Sequence, residues 1–266
     1  MPKVDNDDTK YLAQPFVICA QRRAGGTYLS HCLSNHPQVY CDRAETVHHA
    51  SVWRRYARKL PVPQLIDMLC HQEGYHASGI KLVYTQFFEQ HAWARIREMQ
   101  PPARIIHLTR DNKLRQATSI VFNQIVRKGK APYYPVHTTK HKLTITPTEV
   151  NPKAVVKMMQ WLDNRQDRYA KALALSGLEV LHMTYGEMVG GEGPTVARMK
   201  RSASEKTCDF LGVRRLVLKC DLKRVHSHPL SAWLSNYKEF SKVISNTKYA
   251  RFLNDERTWE GKHARH

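Results

Sequence analysis

Short apolar runs recur along the chain, and amphipathic stretches separate them. Four runs have the length and apolar content of buried strands, namely residues 14–20, 79–84, 104–109 and 178–183. Five stretches predict helices, namely residues 27–35, 86–99, 113–128, 152–175 and 195–211. Strands that alternate with helices pair in parallel through crossover connections. The pattern therefore predicts an α/β protein with a three-layer α/β/α arrangement around a central, mainly parallel sheet.

The other segments predict how this fold is organised. α/β proteins of 266 residues commonly have one core, so we expect a single domain over residues 1–266. The polar residues 1–13 predict a flexible tail, and residues 129–147 lack periodicity and predict a basic surface loop. No apolar run reaches the roughly 18 residues that span a bilayer, and the six cysteines lack metal-site spacing. We therefore expect a cytoplasmic protein with reduced thiols.

The charge of the chain is strongly positive. It carries 42 Lys and Arg against 23 Asp and Glu, a formal net charge of +19. Such an excess creates a surface potential that attracts anions. A nucleic acid, an anionic membrane surface and a cofactor with several phosphates all fit this charge, and charge alone does not choose among them.

The turn after the first predicted strand has the chemistry of an anion site. The backbone N–H groups of Gly25, Gly26 and Thr27 stand at the start of a predicted helix, where the helix dipole favours phosphate or sulfate. The glycines allow close backbone approach, and Arg22 and Arg23 add full charges. The Walker pattern of nucleotide hydrolases needs a lysine after its last glycine, and here Thr27 follows Gly26. ATP or GTP hydrolysis is therefore disfavoured.

A second anion site is predicted after the third strand. Arg110 follows that strand directly, and Ser119 lies nine residues later in a predicted helix. The guanidinium supplies a charged fork and the hydroxyl a neutral donor, which together suit a phosphate. Ligands of open α/β sheets bind at the carboxyl ends of strands, so we expect both anion sites at one edge of the sheet.

Two segments resemble the sulfotransferase superfamily, whose members use 3′-phosphoadenosine-5′-phosphosulfate (PAPS) as donor. The stretch FVICAQRRAGGTYLSHCLSNHPQV is similar to the family's strand, 5′-phosphosulfate loop and helix, with Arg23 at the lysine or arginine position. IIHLTRDNKLRQATS resembles the 3′-phosphate segment, with Arg110 and Ser119 on the motif positions. Asn112 and Leu114 match the carbohydrate-modifying bacterial branch. Weaker similarities are GIKLVYTQF and HPLSAWLSNYKEFSKVISNTKYARFL.

The resemblance implies a P-loop-NTPase-like sulfotransferase fold, with PAPS as donor and adenosine 3′,5′-bisphosphate (PAP) as product. The donor-binding residues that it implies are Arg22, Arg23, Ala24, Gly25, Gly26, Thr27, Tyr28, Arg110, Ser119, Lys223 and Arg224. The last two match a basic C-terminal segment, in KRVHSHP. Ala24 and Gly26 depart from the family, which carries hydroxyl residues there, so we expect the backbone and Arg23 to make more of the contacts.

The resemblance also implies in-line transfer of a sulfuryl group to an acceptor hydroxyl, less readily an amine, with no metal required. Arg23 is expected to offset the charge that builds on the departing phosphate. The expected base is Glu45, in CDRAETVHH, where the carbohydrate branch places an acceptor-activating glutamate. His48 and His49 compete with it, because an imidazole has the more convenient ordinary pKa.

The implied acceptor is a carbohydrate or a glycolipid. Arg54, Arg55, Arg58 and Lys59 gather on one predicted helical face, which is either a solvated face or a guide for an anionic acceptor or lipid surface. Two other function classes stay open. A basic nucleic-acid-binding protein would show a similar charge, although the chain has no known module signature and we expect no nucleic-acid partner. A nucleotide or metabolite kinase of related fold would need ATP and magnesium.

Overall fold

Five parallel strands form the central sheet of the computed structural model, which describes residues 12–42, 60–89, 91–127, 146–189, 197–220, 222 and 229–254. The strands are β1 (Gln14–Ala20), β2 (Val39–Cys41), β3 (Ala77–Val83), β4 (Arg104–Thr109) and β5 (Val180–Thr184). Their order across the sheet is β2-β3-β1-β4-β5. β1 therefore lies in the middle, between β3 and β4.

Helices pack on both faces of this sheet. They are α1 (Gly26–Ser34), α2 (Val62–Cys70), α3 (Tyr84–Glu89), α4 (Ala92–Arg97), α5 (Lys113–Arg127), α6 (Pro152–Ala174), α7 (Tyr185–Met188), α8 (Arg201–Leu211), α9 (Leu230–Trp233) and α10 (Tyr237–Ser245). A short antiparallel pair, β6 (Ala197–Arg198) and β7 (Lys219–Cys220), lies outside the main sheet.

The alternation of side chains along β1 divides the core into two layers, because successive residues of a strand point to opposite faces. Phe16 and Ile18 pack with α1 and α8, through residues such as Leu29 and Leu211. Val17 and its neighbours on the other face pack with α2, α3, α4 and α6. A third cluster joins α5, α6, α9 and α10 around the buried Trp233.

Helix α6 has a well-defined start. The Asn151 side chain accepts hydrogen bonds from the backbone N–H groups of Lys153 and Ala154, and Pro152 occupies the first helical turn. A side-chain cap and an early proline both favour helix initiation.

The two connections beside the central strand lie on opposite faces of the sheet. The connection after β1 runs through α1 on one face, whereas the connection from β4 to β5 runs through α5 and α6 on the other. The crevice between β1 and β4 is the place where such sheets bind ligands.

The predicted α/β fold with a parallel sheet is confirmed, and β1 and β4 have the predicted bounds. Two helices were predicted wrongly. The helix predicted over residues 86–99 is two short helices, because His91 adopts a left-handed backbone with φ 57° between them. The helix predicted over residues 195–211 starts only at Arg201, and the short strand β6 precedes it.

Hydropathy along the described helices is too low, or the helices too short, for any of them to cross a membrane.

Candidate functional site

The turn between β1 and α1 has an unusual backbone. Arg23 has φ 64° and Gly25 has φ 96°, both in the left-handed region. Glycine adopts this conformation without a steric cost. A Cβ on Gly25 would also lie 2.4 Å from the Tyr185 ring. The absence of a side chain at Gly25 therefore allows both the turn and the close packing of Tyr185, which begins α7 directly after β5.

The structure brings together the two segments that the sequence predicts as anion sites. The Arg23 Nε donates a hydrogen bond of 2.9 Å to the Ser119 hydroxyl in α5. One guanidinium nitrogen of Arg110 donates to the backbone carbonyl of Arg23 at 3.1 Å. Arg23 thus contacts Arg110, 87 positions later in the sequence, and Ser119, 96 positions later, at the carboxyl edge of the sheet.

An aromatic ring orients the second arginine. The Arg110 guanidinium carbon lies 4.9 Å from the centre of the Tyr185 ring, a geometry that favours a cation. Tyr185 is held by the turn before it, since the Thr184 hydroxyl and the Glu187 carboxylate cap the first turn of α7 reciprocally. Tyr185 was not among the residues predicted from the sequence.

A buried lysine is the main addition to the predicted site. Lys81 of β3 is 2% exposed, and its Nζ donates to the Thr27 hydroxyl at 2.8 Å. A Cβ on Gly26 would lie 2.9 Å from Lys81 Cδ. Gly26 therefore leaves room for the lysine to pass and reach Thr27. The available signal in the sequence was a lone lysine within the apolar run GIKLVY.

Helix α5 stabilises the turn through buried hydrogen bonds. The buried Gln116 amide donates to the Arg22 carbonyl at 2.8 Å and to the Gln21 side chain at 3.2 Å. Gln21 in turn donates to the Leu162 carbonyl of α6 at 2.6 Å. Asn112 accepts from the Arg115 N–H at the start of α5. Buried hydrogen bonds such as those from the Gln116 amide nitrogen help to fix a loop in one conformation.

Three further residues of the turn, which were predicted to bind the sulfuryl donor, lie in different environments: Arg22, Ala24 and Tyr28. Arg22 is exposed and Ala24 is fully buried. The Tyr28 ring packs against the core layer that contains Cys32 and Cys220, and burial raises the pKa of its hydroxyl. Arg23, and not Arg22, is therefore the arginine that the turn brings to Ser119. The donor-binding roles assigned to all of these residues stay predictions.

Several predicted residues lie outside the described part of the chain. They are Glu45, His48, His49, Arg54, Arg55, Arg58, Lys59, Lys223 and Arg224, together with most of the basic segment 129–147. The predictions for the base, for the basic helical face and for the C-terminal donor contacts are therefore unchanged.

A separate polar chain lies on the other face of the sheet. The Tyr84 hydroxyl bonds to His107 Nε2, and His107 Nδ1 lies 3.0 Å from His182 Nδ1. Burial first, and then the neighbouring His182 and Lys113, lower the pKa of His107 to about 4. His107 shares its sheet face with Ile105, whereas Lys81 lies on the face of α1. These histidines are thus separate from the anion site.

The site therefore gathers Arg23, Lys81 and Arg110 around the turn, with the hydroxyls of Thr27 and Ser119 beside them. Cations and neutral donors of this kind bind phosphate and sulfate groups through charge-assisted hydrogen bonds. The arrangement can hold two anionic groups that are close together and can stabilise negative charge that develops between them.

No family model matches the chain. Nodulation protein H of Rhizobium meliloti is 25% identical over 256 residues, which cover 90% of this chain and 95% of that protein. The crystal structure of a sulfotransferase from Alicyclobacillus acidocaldarius covers 94% of this chain and 100% of its own, with a TM-score of 0.49 and 15% identity. Mouse sulfotransferase SULT7A1, complexed with PAP, covers 95% of this chain and 89% of its own, with a TM-score of 0.41 and 10% identity. Both of these solved structures are of sulfotransferases.

Proposed function

We propose that this chain, which resembles sulfotransferases, transfers a sulfuryl group from PAPS to a hydroxyl of a carbohydrate or glycolipid acceptor. The observation that carries the proposal is the hydrogen bond between Arg23 and Ser119. It joins the segment that resembles a 5′-phosphosulfate loop to the segment that resembles a 3′-phosphate site. A donor with phosphates at both positions would need such adjacent sites.

In this proposal, the donor would be held from two sides. Arg110 and Ser119 would contact the 3′-phosphate, because a guanidinium and a hydroxyl together supply charge and a neutral donor. The backbone N–H groups of Gly25, Gly26 and Thr27 would contact the 5′-phosphosulfate at the start of α1. The stacking of Arg110 on Tyr185 supports this role, since it limits the orientations of the guanidinium.

The charge that develops during transfer would fall beside two cations. The bond from sulfur to the 5′-phosphate oxygen breaks while a bond from sulfur to the acceptor oxygen forms, and negative charge builds on the departing phosphate. Arg23 would offset this charge. The bond from Lys81 to Thr27 supports a second positive charge at the same turn. Together they would replace the side-chain hydroxyls that the family has at Ala24 and Gly26.

The acceptor proton requires a base. We propose Glu45, with His48 and His49 as the alternatives. A carboxylate becomes a stronger base when burial or a neighbouring negative charge raises its pKa, whereas a histidine titrates near neutral pH without such help. The pH at which transfer reaches half its maximum in Glu45→Gln and His48→Gln distinguishes these candidates.

Lys223 and Arg224 are proposed as further contacts to the donor phosphates, because they match the basic C-terminal segment of the resembling branch. No metal is required in the proposed chemistry, since the cations of the chain itself provide the charge stabilisation.

The proposal is tested with PAP binding by calorimetry and with transfer of labelled sulfate from PAPS to an acceptor panel. Arg23→Ala should lower the rate of transfer by about 10²–10³ and weaken PAP affinity only moderately, because its main contact forms in the transition state. Arg110→Ala should mainly weaken PAP binding, by about 10- to 100-fold, as expected for loss of a charged hydrogen-bond donor.

The matched control is Arg214→Ala, which removes the same charge from an exposed position and should leave both quantities unchanged. Near-wild-type activity and affinity in both site variants would contradict the proposal. Salt-sensitive oligonucleotide binding without any response to PAP would favour a nucleic-acid-binding protein, and a magnesium-dependent response to ATP would favour a kinase.

A further inference from the structure

Helix α6 presents an exposed basic face that the anion site does not use. At about 100° per residue, five basic residues fall within an arc of about 120°. They are Lys153, Lys157, Arg165, Arg168 and Lys171. All but the half-buried Arg165 are exposed. We call this arc, with the two apolar residues described next, the α6 outer face.

Two large apolar side chains lie on the same arc. Trp161 is 45% exposed and Leu175, the C-cap of the helix, is 87% exposed. They are two of the five large hydrophobic side chains that are exposed within the described ranges. With a rise of about 1.5 Å per residue they stand about 21 Å apart along the helix. Trp161 follows Lys157 by four residues and Leu175 follows Lys171 by four, so each apolar side chain has a cation as its neighbour on the helix surface.

The two acidic residues of α6, Asp163 and Asp167, lie outside the arc of the α6 outer face. Asp163 accepts a hydrogen bond from the Tyr249 hydroxyl at 2.7 Å and lies 3.4 Å from Lys248 Nζ. Asp167 acts electrostatically on Lys113, which is 6% exposed at the start of α5. Asp163 therefore serves a contact within the fold. Asp167 is exposed about 40° beyond the edge of the arc, and the five cations of the α6 outer face outnumber it.

The tryptophan is held in place by an arginine. The Arg165 guanidinium carbon lies 4.7 Å from the centre of the Trp161 ring. The same guanidinium donates to the Tyr169 hydroxyl at 2.6 Å. Arg165 thus holds the Trp161 ring in one orientation, and the tryptophan stays 45% exposed. A ring that is already held loses little side-chain entropy when it binds a partner.

We propose that the α6 outer face docks on an anionic membrane surface. Basic residues attract acidic lipid headgroups, and a tryptophan favours the boundary between headgroups and acyl chains, where its ring is apolar and its N–H stays hydrated. A polyanion without apolar groups, such as heparin, would satisfy the five cations but would offer no apolar surface to Trp161 and Leu175. Helix α6 would lie parallel to the membrane surface while its apolar side stays packed in the protein core.

This docking is independent of the proposed sulfuryl transfer, because it rests on a different helix face and on different residues. It would nevertheless bring the anion site close to the bilayer. Leu162, next to Trp161, accepts the hydrogen bond from Gln21 that supports the turn.

The proposal is tested by sedimentation of the full chain with vesicles of phosphatidylcholine alone and of phosphatidylcholine mixed with phosphatidylserine. Wild-type protein should bind only the mixed vesicles. Lys157→Ala with Arg168→Ala should weaken this binding about 10- to 30-fold, since each cation near the surface contributes to it. Trp161→Ala should weaken it about tenfold through loss of apolar burial.

The matched control is Lys238→Ala with Lys242→Ala, which removes the same charge from exposed positions of α10 and should change binding less than threefold, about the size of long-range screening effects. The proposal fails if the α6 and α10 variants weaken binding equally. It also fails if Trp161→Ala binds like wild type while heparin displaces the protein fully, because the face would then bind polyanions and not membranes. Circular dichroism confirms that each variant is folded.

Discussion

At the scale of single residues, the chain departs at Gly26 from the sulfotransferase pattern that it resembles, and this departure has a physical reason. The family carries a hydroxyl residue where this chain has Gly26, and the structure shows the space taken by Lys81. A side chain at residue 26 would begin 2.9 Å from Lys81 Cδ and 3.5 Å from Ala20 Cβ. The two positions are therefore coupled: the glycine allows a buried lysine to reach Thr27.

This coupling predicts that Gly26→Ala lowers both the stability of the fold and the proposed transfer activity. Alanine favours helix over glycine by about 1 kcal/mol, which offsets only part of the roughly 1.5–3 kcal/mol that the buried charged hydrogen bond of Lys81 contributes. The free energy of unfolding should therefore fall. Sulfuryl transfer should fall at least about tenfold, because Lys81 must move away from Thr27, and a charged hydrogen bond contributes about 1.5–3 kcal/mol. Urea denaturation and the transfer assay measure the two effects on the same sample.

Two further variants show whether the effect passes through Lys81. In a Lys81→Met background, Gly26→Ala should lower transfer little further, since contacting residues give non-additive effects. Ser30→Ala alters the same helix at a buried hydroxyl that donates to the Thr27 carbonyl and should leave transfer close to wild type. Full additivity of Gly26→Ala and Lys81→Met would contradict the coupling.

At the scale of secondary-structure elements, the strands that carry the site were predictable and the neighbouring connections were not. β1 and β4 are uninterrupted apolar runs between turn residues, and their bounds were predicted correctly. β2 has three residues, too few to show a pattern. The break at His91 depends on one left-handed residue that no periodicity reveals.

The candidate site likewise contains residues that could be predicted from the sequence and contacts that could not. Arg23, Arg110 and Ser119 lie in local patterns, a strand followed by a turn or a helix, and could be found from the sequence. Their contact, and the contribution of Lys81, depend on which strands are neighbours. Lys81 meets Thr27 because β3 pairs with β1, and strand order is not written in either segment. Tyr185 was missed for the same reason.

The sheet itself predicts a dependence of stability on pH. His107 in β4 is 2% exposed, and burial lowers its pKa to about 4, whereas in the unfolded chain it is about 6.5. Between these values the unfolded chain binds a proton that the folded protein does not. His107 should therefore lower the free energy of unfolding progressively as the pH falls from about 6.5 to about 4, with a slope that corresponds to about one proton.

Urea denaturation at a series of pH values measures this slope. His107→Gln keeps a hydrogen-bonding side chain but does not titrate, so its slope over the same range should be shallower by about one proton. His91→Asn replaces an exposed histidine and is compared as the control. Equal slopes for wild type and His107→Gln would contradict a neutral His107 in the folded protein.

At the scale of the whole molecule, the net charge of +19 opposes compactness, because like charges repel one another more in the folded state. Two kinds of anion effect should therefore be separable. Any salt screens the general repulsion, whereas an anion that fits the turn between β1 and α1 also binds the folded state and stabilises it by mass action.

Phosphate should accordingly raise the thermal midpoint more than chloride at equal ionic strength. The excess reflects occupation of the site formed by Arg23, Lys81 and Arg110, and each kcal/mol of stabilisation raises the midpoint of a chain of this size by about 2–4 °C. In the double variant Arg23→Ala with Arg110→Ala, the chloride effect should persist and the phosphate excess should shrink to the small contribution of ions excluded from the surface. If phosphate still raises the thermal midpoint of that variant above the chloride value by as much as in wild type, the dominant anion site lies elsewhere on the basic surface. Arg23 and Arg110 would then contribute nothing to phosphate binding.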